Sequence, residues 1–359
     1  MLTLSQRGRS GMAFLGSLQK FSSGALREKA KADFEAALAA SADDRLQQFG
    51  PQQLQRWTEL AEGSVAYRFE RLYQRYVAEE VYVRALPAIE ERRALAEASP
   101  PQVLDGSDRL ELNPALPMPD YYDGVEWHCE PGGVTHGYDL AGPMFAAAIV
   151  PHVFRHGGFA AVDRGADLYA QRRQVLEALP GDRYDSICDL GCGGVMTLGV
   201  AAALYPGARL VGCDLSAALL SNGARLASLL NLDVTLKQRD ARQTGEPTGS
   251  VSAVVLYAVL HEMPPDVIRA TLREAFRILQ PGGHLLISDI PPFAKSPPFY
   301  SVLFNWETAN REEPYVTDFL SLDREALAAE AGFVEIRDFS LSTAENPYPW
   351  VTIATKPGL

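Results

Sequence analysis

Residues 187–194 read ICDLGCGG, and the helical-looking VMTLGVAAALY follows. An apolar run that breaks into a glycine turn and opens a helix is the first unit of many nucleotide-binding βαβ folds, and no other stretch constrains this chain so strongly. Beyond residue 160 the same alternation continues. Strand-like runs YDSICDL, ARLVGCDL, DVTLKQRD, SAVVLYAV, GHLLISDI, FVEIRDFSL and WVTIATKP are separated by helical segments at 195–204, 216–230, 265–279 and 323–331. The early strands are short, aliphatic and without clean alternation, as strands buried on both faces are. The last two leave no room for a crossover helix and should pair antiparallel at one edge. The expectation is an α/β domain over residues 161–359, a doubly wound, mostly parallel sheet of seven strands with its ligand at their carboxyl ends.

Residues 1–160 differ in character. PQQLQRWTELAEGSVAYRFERLYQRYVAEEVYVRALP, starting at Pro51, places Leu54, Trp57, Leu60, Ala61, Val65, Phe69, Leu72, Tyr73, Tyr76 and Val77 near a 3.6-residue period. It reads as an amphipathic core or dimer helix. The proline-punctuated stretch 100–119 reads as a connector. In DYYDGVEWHCEPGGVTHGYDLAGPMF, residues 120–145, Tyr121, Tyr122, Trp127, His128, His136 and Tyr138 lie among Gly132, Gly133, Gly137 and Gly142. That composition reads equally as a glycine-hinged substrate lid or as a domain connection. Residues 1–160 are therefore expected to form a mainly helical region for capping, dimerisation and substrate closure.

Bulk properties exclude several classes of function. The 359 residues carry a net charge of -12, with acids in excess both before and after residue 160. No basic face is available for nucleic acid. No apolar run approaches the ~18 residues of a membrane span. Cys129, Cys188, Cys192 and Cys213 form no CxxC pair and read as reduced thiols of a cytoplasmic protein. The basic first 27 residues read as an arm or a first helix rather than a targeting segment. His128, Cys129, Glu130 and His136 match no common zinc spacing, so no metal is expected.

What the loop holds follows from its charge. A dinucleotide loop reads GxGxxG, and here the third position is Met196. Asp189, on the lip of the turn, would repel a pyrophosphate and attract a cation. Asp214 closes the second strand, where an acid accepts ribose hydroxyls, and Asp240 closes the third, within reach of an adenine amino group. The spacing fits an adenosine ligand with positive charge and no phosphates: S-adenosylmethionine.

Residues 184–356 resemble the class I, seven-stranded S-adenosylmethionine-dependent methyltransferases. DLGCGG resembles their first motif, VGCDLS the second, QRDAR the third, and LQPGGHLLISD the turn before the fifth strand. The resemblance implies that Gly191 and Gly193 let the backbone approach the methionine moiety. It further implies that Asp214 binds the ribose, Leu215 packs on adenine, and Asp240 with Ala241 holds the adenine edge.

For the chemistry, His261 in VLYAVLHEMPPD follows the fourth strand, at the rim where a transferred methyl would lie. It is the candidate general base. The stretch is similar to the histidine-acid-aromatic segment of plant-type small-molecule O-methyltransferases, with HEM replacing histidine-aspartate-tryptophan. Glu262 reads as a cap of the next helix, and Tyr257 as a wall of the methyl-donor pocket. Trp127, His128 and Tyr138 in the first segment are acceptor-pocket candidates. So are Asn305, Trp306 and Glu307 in the proline-rich segment after the fifth strand. The expected function is O-methylation of a small-molecule acceptor by a homodimer, without nucleic-acid or membrane partners. S-methylation of a thioether, methylation of a protein or peptide, and a catalytically silent cofactor-binding role are the alternatives.

Overall fold

The run ahead of the glycine turn forms a strand, Ser186–Leu190, in which every residue is buried. The computed structural model describes residues 2–41, 49–97, 109–133, 137–157, 165 and 167–358. Among these, eight strands build one sheet. They are β1 (Leu110–Glu111), β2 (Ser186–Leu190), β3 (Arg209–Asp214), β4 (Val234–Gln238), β5 (Val251–Tyr257), β6 (Leu279–Asp289), β7 (Val334–Ser340) and β8 (Trp350–Thr355). Their order is β1-β4-β3-β2-β5-β6-β8-β7. β1 to β6 pair in parallel, while β8 lies antiparallel between β6 and β7. The chain reverses its winding between β2 and β5, the switch point at which such sheets bind ligands.

The strand count corrects the expected seven. The extra strand is two residues from the connector before residue 160, with Leu110 opposite Leu236. So short a segment carries no periodicity to read.

The helices are α1 (Gln6–Phe21), α2 (Arg27–Ala40), α3 (Pro51–Glu62), α4 (Val65–Glu90), α5 (Arg93–Glu97), α6 (Ala141–Met144) and α7 (Val150–His152). After them come α8 (Leu168–Leu176), α9 (Met196–Leu204), α10 (Ala217–Leu229), α11 (Pro265–Ile278), α12 (Pro298–Asn310), α13 (Val316–Leu320) and α14 (Arg324–Glu330). Local chemistry starts several of them. Ser216 and Asp323 accept hydrogen bonds from Leu219 N–H and Ala326 N–H, and Pro265 and Pro298 occupy first-turn positions that need no donor. The proline-rich stretch after β6, read as a pocket-shaping segment, is thus mostly the helices α12 and α13.

The periodic stretch from Pro51 is two helices, not one. Gly63 ends α3, and Ser64 caps α4 by accepting from Tyr67 N–H at 3.2 Å. The break rotates the buried face: Leu54, Trp57 and Ala61 are buried in α3, whereas Val65, Phe69, Leu72 and Tyr76 point outward from α4.

Three apolar cores organise these layers. One face of the sheet packs against α11–α14 together with Phe34 of α2 and Leu54, Trp57 and Ala61 of α3. The opposite face packs against α8, α9 and α10. α1, the second half of α4, and α6 share a third core. Phe34 lies 5.6 Å from Phe299, and Phe49 stacks at 5.1 Å on Phe293. Helices α2 and α3 are therefore built into the sheet's own core, while α1 and the second half of α4 pack in a core of their own. The expected boundary at 160–161 lies outside the described residues. No helix among the described residues is long and apolar enough to cross a membrane.

Shared packing makes a thermodynamic prediction. Trp57 is almost wholly buried, and its replacement by Ala should cost ~3–5 kcal/mol. Chemical denaturation of Trp57→Ala should show one cooperative transition moved to lower denaturant. An unmoved main transition, with a separate early one, would show that the N-terminal helices are an independent unit.

Candidate active site

The glycine turn is pinned to the next strand by its own amides. Gly191 N–H and Cys192 N–H both donate to Cys213 C=O, at 2.8 and 3.1 Å. Gly191 has φ +71°, and a Cβ there would sit 2.3 Å from Val259 Cγ2, so only glycine fits. Gly193 has φ +57°, and a Cβ there would meet nothing nearer than Leu219 at 4.0 Å. The protein leaves that side of the loop open, room for a ligand's close approach.

Asp189 is the unsatisfied group of this turn. It is buried at the end of β2, and among the described residues no donor reaches either carboxylate oxygen in good hydrogen-bond geometry, although the Thr197 hydroxyl lies close enough to favour its charged form. Burial raises its pKa to about 7; Arg172 opposes the shift, Asp214 adds to it, and the Thr197 hydroxyl opposes it. A buried carboxylate without a partner is costly in the free protein. A cationic ammonium, as S-adenosylmethionine carries, supplies the missing charge and donors. The orphaned acid, the bare glycine face and the strand-end acids together fit that cofactor.

The neighbouring strand ends differ in what they hold. Asp214 accepts from Gly193 N–H at 2.7 Å and from Ser216 N–H at 2.8 Å. Burial raises its pKa to about 6 against those two bonds. Asp214 thus joins loop to strand and stays at the lip where a ribose would be held. Leu215 is half-buried, and Ala241, which follows Asp240, is buried. Asp240 is already engaged: Arg242 reaches it with its backbone N–H at 2.8 Å and its Nη2 at 2.6 Å. Its carboxylate must share or release that arginine to serve an adenine. Tyr257, at the end of β5, donates to Gln171 at 2.9 Å and is covered by the Arg172 guanidinium at 4.2 Å.

His261 lies in a short turn, Leu260–Glu262, after β5. Its Nδ1 is 2.7 Å from Asp289 Oδ1, at the end of β6. Asp289 is fully buried, and it also accepts from Leu260 N–H at 3.0 Å and Ile290 N–H at 2.7 Å. These bonds fix the imidazole's orientation and leave Nε2 as its working nitrogen. Burial alone would lower the His261 pKa, but the Asp289 charge and hydrogen bond, with Glu313 and Glu262, outweigh it and raise it to about 9. On the far side, the buried Arg324 holds Asp289 further toward its charged form.

Glu262 does not cap α11, whose start carries no side-chain cap. It faces the segment around residue 125 instead. Tyr122 donates to Glu262 Oε2 at 3.4 Å, and His128 Nε2 is 3.6 Å from Glu262 Oε1. His128 Nδ1 also pairs with the buried Glu313. Burial opposes charging of this imidazole, yet the two acids raise its pKa to about 10. Tyr122 stacks on Trp127 at 5.0 Å, Trp127 lies 6.1 Å from Tyr315, and Arg242 covers Tyr121 at 5.4 Å. His128 and Cys129 have φ of 59° and 63°, left-handed values that non-glycine residues rarely adopt. The turn is held in that geometry by its ionic and aromatic contacts.

Not every expected residue converges here. Trp127 and His128 do, as does Tyr257. Tyr138 instead donates to Glu90 at 2.8 Å and packs with the core of α1 and α4. Asn305 accepts from Thr317 at 2.9 Å, Trp306 carries the Arg71 guanidinium at 4.6 Å, and Glu307 pairs with Arg311 at 2.9 Å. Asn305 and Trp306 knit α12 to α13 and α4, and Glu307 pairs with the residue that ends α12 itself. Asp289, Glu313, Tyr315 and Arg172 went unread. An acid closing the apolar run LLISD was the available signal for Asp289; the others have none in the sequence.

Asp189→Asn keeps the shape and removes the charge. It should weaken S-adenosylmethionine binding by roughly 10- to 150-fold, the worth of a charge-assisted hydrogen bond. Titration calorimetry of both proteins checks this, and an unchanged affinity would remove Asp189 from the cofactor site.

Comparison with known proteins gives the same picture. A family model described as a methyltransferase domain matches residues 187–283. A demethylmenaquinone methyltransferase of Thermus thermophilus is 34% identical over 132 residues, 36% of this chain and 57% of the relative. One of Symbiobacterium thermophilum is 30% identical over 211 residues, 48% of this chain and 83% of the relative. A possible exported protein from Bordetella parapertussis, a solved structure, is 21% identical over 59% of this chain and 74% of its own, with a TM-score of 0.45. Glycine turn, strand-end acids, sheet order and the two methyltransferase relatives agree: the chain belongs to the S-adenosylmethionine-dependent class I methyltransferases.

Proposed function

We propose that this protein methylates a small-molecule acceptor bearing an acidic hydroxyl, a phenol or an enol, with His261 as the proton acceptor. The observation that carries the reading is the His261–Asp289 pair at 2.7 Å beside the cofactor-binding strand ends. When bound, the cofactor supplies an electrophilic methyl group. Asp189 would hold its ammonium group and Asp214 its ribose. His261 Nε2 takes the acceptor's proton, and Asp289 stabilises the imidazolium so formed. Residues 121–130 act as a lid: Tyr122 and His128 latch onto Glu262, and their aromatic neighbours provide flat walls for a ring. A lid that excludes water strengthens each charge interaction beneath it.

A second reading is favoured by the relatives, which are named demethylmenaquinone methyltransferases. An acceptor of that kind would take the methyl on a ring carbon. The same proton removal from a ring hydroxyl would activate it, so His261 and the aromatic walls keep their roles and only the accepting atom differs.

The base role fixes a pH dependence. The free protein's His261 has its pKa raised to about 9, and a base must be unprotonated. Below that value kcat/KM should rise roughly tenfold per pH unit, then level off above it. A bound sulfonium disfavours the imidazolium, so the limb in kcat should lie at lower pH. Asp289→Asn removes the neighbouring charge and should move the kcat/KM limb downward. His261→Ala should lower kcat by roughly 10²–10⁴-fold and leave cofactor affinity unchanged. A pH limb that survives His261→Ala would refute the assignment. Product mass spectrometry after a screen of phenols, quinols, carboxylates and thioethers separates oxygen, carbon and sulfur transfer.

A further inference from the structure

Helix α4 is polar inside and apolar outside over its first half. Its buried side carries Glu70, Arg71 and Gln74, each with partners: Glu70 pairs with Arg71 and with Arg27 at 2.9 Å, and Gln74 bonds Ser22 at 2.8 Å and Arg311 at 2.8 Å. Its outer side carries Val65, Phe69, Leu72, Tyr76, Val83 and Leu86, all between 37% and 58% exposed. These positions step by four and three residues along the 26-residue helix, with only Glu79 interrupting the pattern. A seam of that period is what one helix presents to another.

The stripe is broadened by α1. Phe14 lies under Arg84 at 5.9 Å, and Phe21 meets the ring of Tyr73 edge-on at 6.2 Å; both phenylalanines are half exposed. Together the exposed side chains offer on the order of 800 Å² per copy, about what one partner contributes to a standard stable interface. Scattered exposed apolar residues need no explanation, but a continuous patch of this size does.

We propose that this face is the contact between two copies of the chain, with two α4 helices packed antiparallel about a two-fold axis near residue 77. The occupant follows from charge and register. Around such an axis Phe69 faces Leu86 of the second copy and Leu72 faces Val83. Arg75 faces Glu79, and the symmetry repeats each contact. Arg75 and Glu79 already lie 2.7 Å apart within one helix, half exposed, so two copies bring together a compact alternating cluster of four charges. A lipid surface fits less well. Membrane-surface helices flank their apolar face with basic residues, whereas Glu79, Glu80 and Glu90 accompany Arg68, Arg75 and Arg84 here, on a chain of net charge -12. The inference is independent of the acceptor and of His261.

Sedimentation of the full chain at tens of micromolar should give twice the 39.2 kDa chain mass. Leu72→Glu with Val83→Glu should give the single-chain mass with unchanged circular dichroism and cofactor affinity. Arg75→Glu alone should weaken association by roughly tenfold or more, and adding Glu79→Arg should restore it. A single-chain mass for the unaltered protein, or a double-glutamate variant that still dimerises, would overturn the proposal. So would a charge-swapped pair that fails to recover. A monomer that floats with phosphatidylglycerol vesicles would assign the face to lipid instead.

Discussion

A buried carboxylate short of donors is the constraint on which this structure turns. Asp189 lies near the end of a strand whose neighbours on both sides are apolar, so among the described residues its oxygens lack a well-aligned donor, and the nearby Thr197 hydroxyl offsets the cost of burial only in part. A free protein would be better served by leucine there, since an isolated buried charge is expensive and the group responds by holding its proton. A cationic ligand at this edge would relieve that cost. The sheet supplies the means: parallel strands β2, β3 and β4 deliver their carboxyl ends to one edge, and each closes on or near an acid. Because Gly191 lacks a side chain, Val259 of the next strand's exit turn can close against the loop.

The ends of β5 and β6 are built on the same logic, with the opposite balance of charge. His261 and Asp289 are both buried, but each satisfies the other, and Arg324 backs the acid. Glu262 and Glu313 face His128 in the same way. The free protein thus holds two imidazolium–carboxylate arrangements around the ends of β5 and β6, and a raised histidine pKa is their shared consequence. Removing one member of such an arrangement leaves an uncompensated charge, and these pairings hold the turn at His128 and Cys129 in its left-handed geometry.

What was legible in the sequence followed local physics. Aliphatic runs gave every strand of the catalytic sheet except the two-residue β1, and capping residues such as Ser216 and Asp323 marked helix starts to within a residue or two. The glycine turn and its acid identified the cofactor, because charge at a loop is a local property. Contacts made across the fold were not legible. The period of α3 was carried too far into α4, since nothing in the spacing announces that Ser64 restarts the helix in a new rotation. Tyr138 and Trp127 sit in one aromatic segment yet part company, and Glu307 turned toward Arg311 once α12 formed. In each case tertiary packing, rather than propensity, chose the partner.

The most direct test of this account is the proton released when S-adenosylmethionine binds. Calorimetric titration near pH 6, in buffers of differing ionisation enthalpy, counts it. Asp189, with its pKa raised to about 7, is mostly protonated there. A cation seated against it must expel close to one proton. The release should fade as pH rises through about 7 and should fall by close to one proton in Asp189→Asn, leaving only what Asp214, with its pKa raised to about 6, contributes. Binding without proton release near pH 6, or a release that Asp189→Asn leaves intact, would contradict the claim that this buried carboxylate is the socket for the cofactor's charge.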